Sequence, residues 1–277
     1  MSAGRRYTPR VGNIYFQLTE AFNARQITVA LASGQAVVYY RIAIMSKDGD
    51  WIVRETPEAC EHVLAELEKR GATYRPSPPL DVRWLSGGWS SHFEFVDERV
   101  RRVRCDFMSR PPRVDLATVE RLFANADPGS RLLAIDLESL ILMKRSQRAK
   151  DYAVIGELAS RLPPEREIDL TTDPDRVLEL APQHGQASSR PAVRAALSGA
   201  GRRTVVLALA EETDELQEDD RRRLARYEAA AREYLAACRR AAIARMPLRE
   251  AHGRLRELAD RLLPAELPPG GIDHANA

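Results

Sequence analysis

Apolar and polar residues recur with two different periods in the first part of the chain, which indicates a mixture of helices and strands. Apolar residues at every fourth position predict a helix over 13–25, and the short β-branched run at 27–31 predicts a buried strand. An apolar run after a glycine turn predicts a short helix at 36–40, and residues 50–53 are predicted to form a second strand.

Helix and strand signals continue to alternate in the next part of the chain. Thr56 is a typical N-cap residue followed by Pro57, and Gly71 marks the end of the helix that they begin. Alternating apolar residues over 82–108 predict a series of strands, which two prolines at 111–112 terminate. The N-terminal part of the chain is therefore expected to contain a sheet packed against helices.

The second half of the chain is dominated by helical spacing. Asp136 is predicted to cap one helix, and a further helix is predicted to begin near Lys150. Residues 163–203 are rich in proline, aspartate and arginine, and we interpret them as a connector with some helix. Apolar residues recur at heptad-like spacing over 224–262, with an interruption at Pro247, which predicts an antiparallel helical hairpin.

These patterns predict an α/β (α+β) fold, in which a mixed sheet is flanked by helices and followed by a helical C-terminal extension. We expect a sheet-containing domain at 1–162, a connector at 163–203, a helical hairpin at 204–264 and a flexible tail at 265–277.

The composition narrows the classes of function. Hydrophobic residues make up 44% and charged residues 30% of the 277 residues, as in a globular protein. Lys and Arg number 42 against 40 Asp and Glu, so a net charge of +2 excludes a polycation that binds nucleic acid over its whole surface. Three widely spaced cysteines do not suggest a disulfide framework or a zinc site. The start lacks an apolar signal segment and no apolar run reaches spanning length, so we expect a cytoplasmic protein without a membrane partner.

Three aspartates and one turn are the candidates for chemistry. Asp48 and Asp50 are one residue apart at the start of a predicted strand, so both side chains are expected on one face. Two carboxylates on one face make an oxygen-rich site that suits Mg²⁺. Asp106 on a later strand would extend this site to two metal ions about 4 Å apart. The turn at Ser33 and Gly34, between a strand and a helix, offers backbone N–H groups to a phosphate.

Each of these features also has a simpler interpretation. The segment from Lys47 to Asp50 has the composition of a solvated turn, and Asp106 could instead pair with Arg104 or a neighbouring arginine. The arginine-rich run at 99–113 suits RNA phosphates beside the site as well as it suits a solvated hairpin edge that blocks aggregation.

Four segments occur in an order that resembles one enzyme family. Residues 32–40 and 46–51 have the sequences ASGQAVVYY and SKDGDW. They resemble the opening motif of the minimal nucleotidyltransferases of the DNA-polymerase-β superfamily, most of all the AbiEii-like toxin branch and related uncharacterised bacterial proteins. Residues 136–144 and 148–151, DLESLILMK and RAKD, are similar to the late helix pair of the family. The resemblance spans residues 28–160.

The resemblance implies a nucleotidyltransferase fold and a Mg²⁺-dependent reaction that moves a nucleoside monophosphate from an NTP to a hydroxyl group and releases pyrophosphate. It implies that the acceptor is RNA, such as tRNA, or a protein, and that a cognate antitoxin is a further partner. It also implies that Asp48, Asp50 and Asp106 are the catalytic metal ligands, with Asp106 helping to deprotonate the hydroxyl. The implied nucleotide-binding residues are Ser33, Gly34, Ser46, Lys144, Lys150 and Asp151. The last two could instead cap their helix.

Departures from the family motif motivate a second hypothesis. Arg41 replaces a glycine of the motif, Ile44 replaces a basic residue, and Gly49 replaces an apolar residue between the two acids. A catalytically degenerate nucleotidyltransferase fold that serves as a binding or regulatory module would tolerate these changes. A third hypothesis is an unrelated α/β domain with a chance Asp-x-Asp, in which Asp106 lies on the opposite face of the sheet.

Overall fold

A mixed five-stranded sheet lies at the centre of the computed structural model, which describes residues 12–98 and 101–267. The strands are β1 (Val29–Ala32), β2 (Gly49–Val53), β3 (Thr73–Tyr74), β4 (Ser91–Asp97) and β5 (Arg101–Met108). Their order across the sheet is β1-β2-β5-β4-β3. β2 and β5 are parallel, and the other neighbouring pairs are antiparallel. The acids of β2 and β5 therefore belong to adjacent strands at the centre of the sheet.

Helices pack on both faces of this sheet and extend beyond it. In the described residues they are α1 (Ile14–Phe22), α2 (Ser33–Tyr39), α3 (Pro57–Glu68), α4 (Val82–Ser86), α5 (Leu116–Ala124), α6 (Leu137–Lys144), α7 (Ala149–Ala159), α8 (Pro164–Glu167), α9 (Pro174–His184), α10 (Pro191–Leu197), α11 (Arg202–Arg240) and α12 (Leu248–Leu262). A mixed sheet flanked by helices, with a helical C-terminal extension, is the predicted fold class, which is confirmed.

One face of the sheet, which we call the aromatic face, carries Trp51, Phe93 and Phe107. The rings of Trp51 and Phe107 stack with their centroids 5.2 Å apart, and all three side chains are fully buried. The core on this face includes residues of α1, α3, α12 and the C-terminal half of α11. Burial of each large apolar side chain contributes about 1.5–3 kcal/mol to stability. The C-terminal helices thus share the core of the sheet.

The other face, which we call the site face, is covered by helices at the β1 edge. Ala30 and Ile52 pack there with residues of α2, α5, α6 and α7. Because side chains alternate along a strand, Asp50 and Asp106 project from the site face, opposite Trp51 and Phe107. The acids consequently lie on the face that the aromatic core leaves free.

Two predicted helix starts are confirmed by their capping bonds. The Thr56 hydroxyl accepts a hydrogen bond from the backbone N–H of Ala59, and Pro57 is the first residue of α3. The Asp136 carboxylate likewise accepts from the backbone N–H of Ser139 at 2.9 Å and fixes the start of α6. Both caps satisfy donors that the first helical turn leaves unpaired.

The predicted strand series over 82–108 is wrong at its beginning. Residues 82–86 form α4, whose first turn is capped by the Asp81 carboxylate, and Trp84 and Leu85 are buried. The sequence analysis also missed the two-residue strand β3 and the helix α5. The strand pattern is correct from Ser91 onward, where buried and more exposed residues alternate along β4.

Helix α11 is longer than the predicted hairpin helix and begins inside the predicted connector. It runs for 39 residues from Arg202. Val205 and Leu209 near its start are buried against apolar residues of α9 and α10 in a small cluster of their own. Residues 163–203 therefore contain more helix than predicted, and the domain boundaries stay a prediction.

The end of the described chain lies against the turn after α4. The backbone N–H of Leu267 donates to the carbonyl of Gly87 at 2.8 Å, and the Trp89 indole donates to the carbonyl of Pro264. Residues 268–277 of the predicted tail and residues 99–100 of the arginine-rich run lie outside the described residues. In the part of the chain that the structure describes, no helix combines the length and apolar character needed to cross a membrane.

Candidate active site

A row of residues in register crosses the site face from one edge of the sheet to the other, and its members beyond β1 are polar. In the strand register Ala32 of β1 lies opposite Asp50 of β2, and Asp50 lies opposite Asp106 of β5. Asp106 in turn lies opposite His92 of β4, whose carbonyl accepts from the backbone N–H of Arg75. Adjacent strands are about 4.8 Å apart, so the two carboxylates at the centre of this row are close neighbours.

Asp50 is the most perturbed acid of the row. Burial, followed by repulsion from the carboxylates of Asp106 and Asp48, raises the pKa of Asp50 from 3.8 to about 6. The ammonium group of Lys144 and a hydrogen bond from the Ser33 side chain act in the opposite direction, without balancing these effects. The protein thus holds a carboxylate where negative charge is disfavoured, and a bound cation would relieve this.

Asp106 contacts two side chains, one from the neighbouring strand β4 and one from the residue that follows β3. Arg75 Nη1 lies 3.1 Å from Asp106 Oδ1, and His92 Nδ1 lies 2.8 Å from the same oxygen. The His92 contact lacks hydrogen-bond alignment, so its Nδ1 is a buried polar atom without a hydrogen-bond partner. Arg104 contacts Asp48 at 3.6 Å. The alternative in which an arginine pairs with Asp106 is therefore observed, with Arg75 as the arginine.

The turn between β1 and α2 lies directly beside Asp50. Ser33 adopts a left-handed backbone conformation with φ of +47°, which is strained for a residue other than glycine. A Cβ on Gly34 would lie 2.2 Å from Ser46 Oγ, so only glycine allows the loop before β2 to approach so closely. The Gln35 side chain donates to the Ser46 carbonyl at 2.9 Å and fixes this approach. Gly34 and Ser46 therefore lie in close contact, next to Ser33, and their role in nucleotide binding stays a prediction.

The late helix pair brings one lysine toward the carboxylates. Lys144 at the end of α6 is buried, and its Nζ lies 3.5 Å from Asp151 Oδ1. Burial lowers the pKa of Lys144, while the carboxylates of Asp151 and Asp50 act to raise it. Asp151 also pairs with Arg148 and accepts from the Ser146 hydroxyl, so it organises the start of α7. Lys150 is exposed in the first turn of that helix.

Two departures from the family motif have structural explanations. Arg41 stands in a left-handed conformation with φ of +62°, which a glycine would adopt without strain. A Cβ on Gly49 would lie 2.4 Å from the Trp51 ring and 2.5 Å from the Tyr15 ring. These two aromatic rings fill the space that an apolar side chain would take. Ile44, at the third departure, is 86% exposed in the loop between α2 and β2.

The row fits a divalent cation only in part. Among residues 12–98 and 101–267, no three His, Cys, Asp or Glu side chains are grouped so that they could hold a metal ion. Asp50 and Asp106 do fit, because they supply hard oxygen ligands and their mutual repulsion contributes to the raised pKa of Asp50. Asp48 faces Arg104 instead. Two of the three predicted ligands are thus paired in register, and the third lies one residue outside β2.

His92 and Arg75 are the members of the row that the sequence analysis did not select. His92 shares a strand face with Glu94, and the register of the β4–β5 hairpin sets it opposite Asp106. The correct register between β4 and β5 would have shown this pairing. Arg75 follows the short strand β3 and has no local signal, because its role depends on the strand order.

Two cavities lined by described residues lie away from the three aspartates. A cavity of about 810 Å³ lies among α2, α5 and α6, where Tyr40 and Asp136 line it, and another of about 900 Å³ lies beside Arg54 and Arg131. Neither includes any of the three aspartates. Asp106 and His92 are partly open to solvent, with exposed fractions of 19% and 27%.

The fold and the site together define an α/β protein with a pair of adjacent carboxylates on one face of a mixed sheet. No family model and no curated protein matches the chain. Two solved structures are similar in part. JHP933 from Helicobacter pylori shares 11% identity at a TM-score of 0.39, over 78% of this chain and 94% of that one. A candidate nucleotidyltransferase from H. pylori shares 11% identity at a TM-score of 0.36, over 75% of this chain and 94% of that one. Similarity of this size carries no inference about activity.

Proposed function

We propose that this protein is a Mg²⁺-dependent nucleotidyltransferase that moves a nucleoside monophosphate from an NTP to a hydroxyl group of RNA, such as tRNA, or of a protein. The observation that carries the proposal is the pairing of Asp50 and Asp106 on adjacent parallel strands of the site face. The perturbed pKa of Asp50 and the Ser33–Gly34 turn beside it support the same assignment.

Asp50 and Asp106 would hold the metal ion, with Asp48 as a third ligand after release of Arg104. Bound Mg²⁺ supplies charge neutralisation on the triphosphate and orientation of its oxygens. The acceptor oxygen forms a bond to the α-phosphorus, and the bond from that phosphorus to the bridging oxygen breaks, so that pyrophosphate leaves. Asp106 accepts the proton of the acceptor hydroxyl, and Lys144 stabilises negative charge from the side of α6.

The direct test is transfer of label from each of the four α-³²P NTPs to total tRNA and to total protein in the presence of Mg²⁺. Wild type is compared with Asp50→Asn and Asp106→Asn, and Asp214→Asn on the exposed surface of α11 is the matched control. We expect label with wild type and with the control, and none with the two site variants. Label that survives in both site variants would refute the assignment.

A non-catalytic binding module is the second candidate, and the arginine contacts favour it. Arg75 and Arg104 already partly neutralise Asp106 and Asp48 without a metal ion. Thermal unfolding separates the two candidates, because a ligand at a hundredfold excess over its Kd stabilises the folded state by about 2.7 kcal/mol. The enzyme is expected to show this stabilisation with an NTP only when Mg²⁺ is present. Stabilisation by an NTP that is independent of Mg²⁺ would favour the binding module.

A role as the toxin of a toxin–antitoxin pair, within the AbiEii-like branch, rests on the resemblance of residues 32–51 and the later helix pair. Controlled expression in a bacterial host tests it. Wild type is expected to arrest growth, and Asp50→Asn at equal protein level is expected to leave growth unchanged. Equal growth with both proteins would remove the toxin role and leave the transferase activity to the labelling experiment.

A further inference from the structure

Two of the three aspartates at the site form an ion pair with an arginine. In each pair one nitrogen of the arginine contacts the carboxylate. Arg75 reaches Asp106 with one Nη atom, and Arg104 approaches Asp48 only to 3.6 Å. A guanidinium group has five N–H donors, so both arginines keep donors that these contacts do not use. All four side chains are also partly open to solvent, with exposed fractions between 19% and 41%.

Two other arginine pairs in the same chain are forked. Arg110 bonds Glu55 through both Nε and Nη2, and Arg249 bonds Glu61 through both of its terminal nitrogens. Such forked pairs fix both partners and are strong. The arginines at the site lack this forked geometry and keep donors that another anion can use.

The positions of the two arginines flank the central acids. Arg75 lies beside β4 and reaches past His92, two strands away from β5. Arg104 lies two residues before Asp106 on β5 and projects from the same face. A polyphosphate bound over Asp50 and Asp106 would therefore lie between the guanidinium groups of Arg75 and Arg104.

We propose that Arg75 and Arg104 are triphosphate-binding residues, which hold Asp106 and Asp48 in the ligand-free protein and transfer to phosphate oxygens when the metal–nucleotide complex binds. This inference rests on the proposed function and names the side chains that recognise its substrate. Arginine suits this exchange, because its planar fork matches phosphate oxygens as well as carboxylate oxygens.

This exchange predicts an effect on binding that would not occur if the two arginines were purely structural. Removal of either arginine frees a carboxylate for the metal ion and at the same time removes a phosphate ligand. Affinity for the nucleotide should therefore fall, while affinity for the cation alone should stay equal or rise.

The test uses the full chain with Arg75→Gln and Arg104→Gln, and Arg102→Gln as the matched control. Arg102 lies on the same strand and face, but pairs with Glu94 outside the central acids. Mn²⁺ binding without nucleotide is followed by electron paramagnetic resonance. Binding of an α,β-methylene NTP analogue with Mg²⁺ is followed by calorimetry, and NMP binding is measured alongside.

We expect each site variant to bind Mn²⁺ at least as tightly as wild type and to bind the NTP analogue about tenfold or more weakly, as for loss of a hydrogen bond to a charged group. NMP binding should change less, and Arg102→Gln should match wild type in every measurement. Arg75→Lys, which retains the charge without the fork, is expected to have intermediate affinity for the analogue.

Two outcomes would overturn the inference, and they are distinguishable from failure of the proposed function. If wild type binds the analogue and both variants bind it equally well, the arginines are not phosphate ligands. If Mn²⁺ and analogue affinities fall together with the unfolding temperature, the arginines are structural. If wild type binds no Mg²⁺–NTP analogue at all, the proposed function fails, and this inference fails with it.

Discussion

Replacement of Asp50 by asparagine should make the protein more stable at neutral pH while it abolishes activity. The folded protein raises the pKa of Asp50 from 3.8 to about 6, because the carboxylate is buried and faces Asp106. At 1.36 kcal/mol per pH unit, this rise corresponds to about 3 kcal/mol of cost for the charged form above pH 6. Asparagine removes the charge and can still accept the hydrogen bond from Ser33. The pKa of about 6 already includes the attraction to Lys144, so the expected gain is about 3 kcal/mol.

The pH dependence of this gain identifies its cause. A folded pKa above the unfolded value stabilises the protein at low pH, and this contribution is lost as pH rises through about 6. Asp50→Asn should therefore unfold about 6–12 °C above wild type at pH 8, at about 2–4 °C per kcal/mol, and should show little difference at pH 4. Calorimetry at both pH values, with Asp214→Asn as control, measures this. Equal unfolding temperatures at pH 8, or the same gain at both pH values, would refute the electrostatic explanation.

Three further substitutions test the local structure by thermal unfolding. Arg41→Gly should raise the unfolding temperature by about 2–4 °C, because it relieves about 1 kcal/mol at a left-handed residue, and a lower temperature would contradict this. Gly34→Ala should cost about 1–3 kcal/mol and weaken NTP binding, since the new Cβ collides with Ser46, and unchanged stability would mean that the loop moves freely. Thr56→Ala should cost about 1 kcal/mol through loss of the α3 cap without any effect on NTP binding, and reduced binding would show that this end of β2 is coupled to the site.

The candidate site was predictable where it depends on residues close in sequence. The spacing of Asp48 and Asp50 and their place at the start of β2 follow from the local pattern. The turn at Ser33 and Gly34 is predictable for the same reason, because a strand runs directly into a helix there. Asp106 could be proposed from its place on a later strand, but its position next to Asp50 depends on parallel pairing between strands that are distant in the chain.

The parts of the site and of the fold that were not predicted depend on features that no local sequence pattern encodes. Arg75 reaches the site because β3 joins the sheet at its edge, yet β3 has only two residues and gives no periodic signal. The five residues of α4 are too few to separate helical from strand periodicity within an apolar stretch. The early start of α11 is stabilised by packing of Val205 and Leu209 on α9 and α10, which is tertiary rather than local.

Transfer of a nucleotide, as opposed to nucleotide binding or hydrolysis, can be measured directly in one reaction. Wild type and Asp106→Asn are incubated with Mg²⁺, the preferred α-³²P NTP and its acceptor, and both incorporated label and released pyrophosphate are quantified in the same sample. We expect wild type to release one pyrophosphate for each label incorporated and the variant to yield neither product. Release of phosphate or pyrophosphate without incorporated label, or equal transfer by the variant, would contradict the assignment.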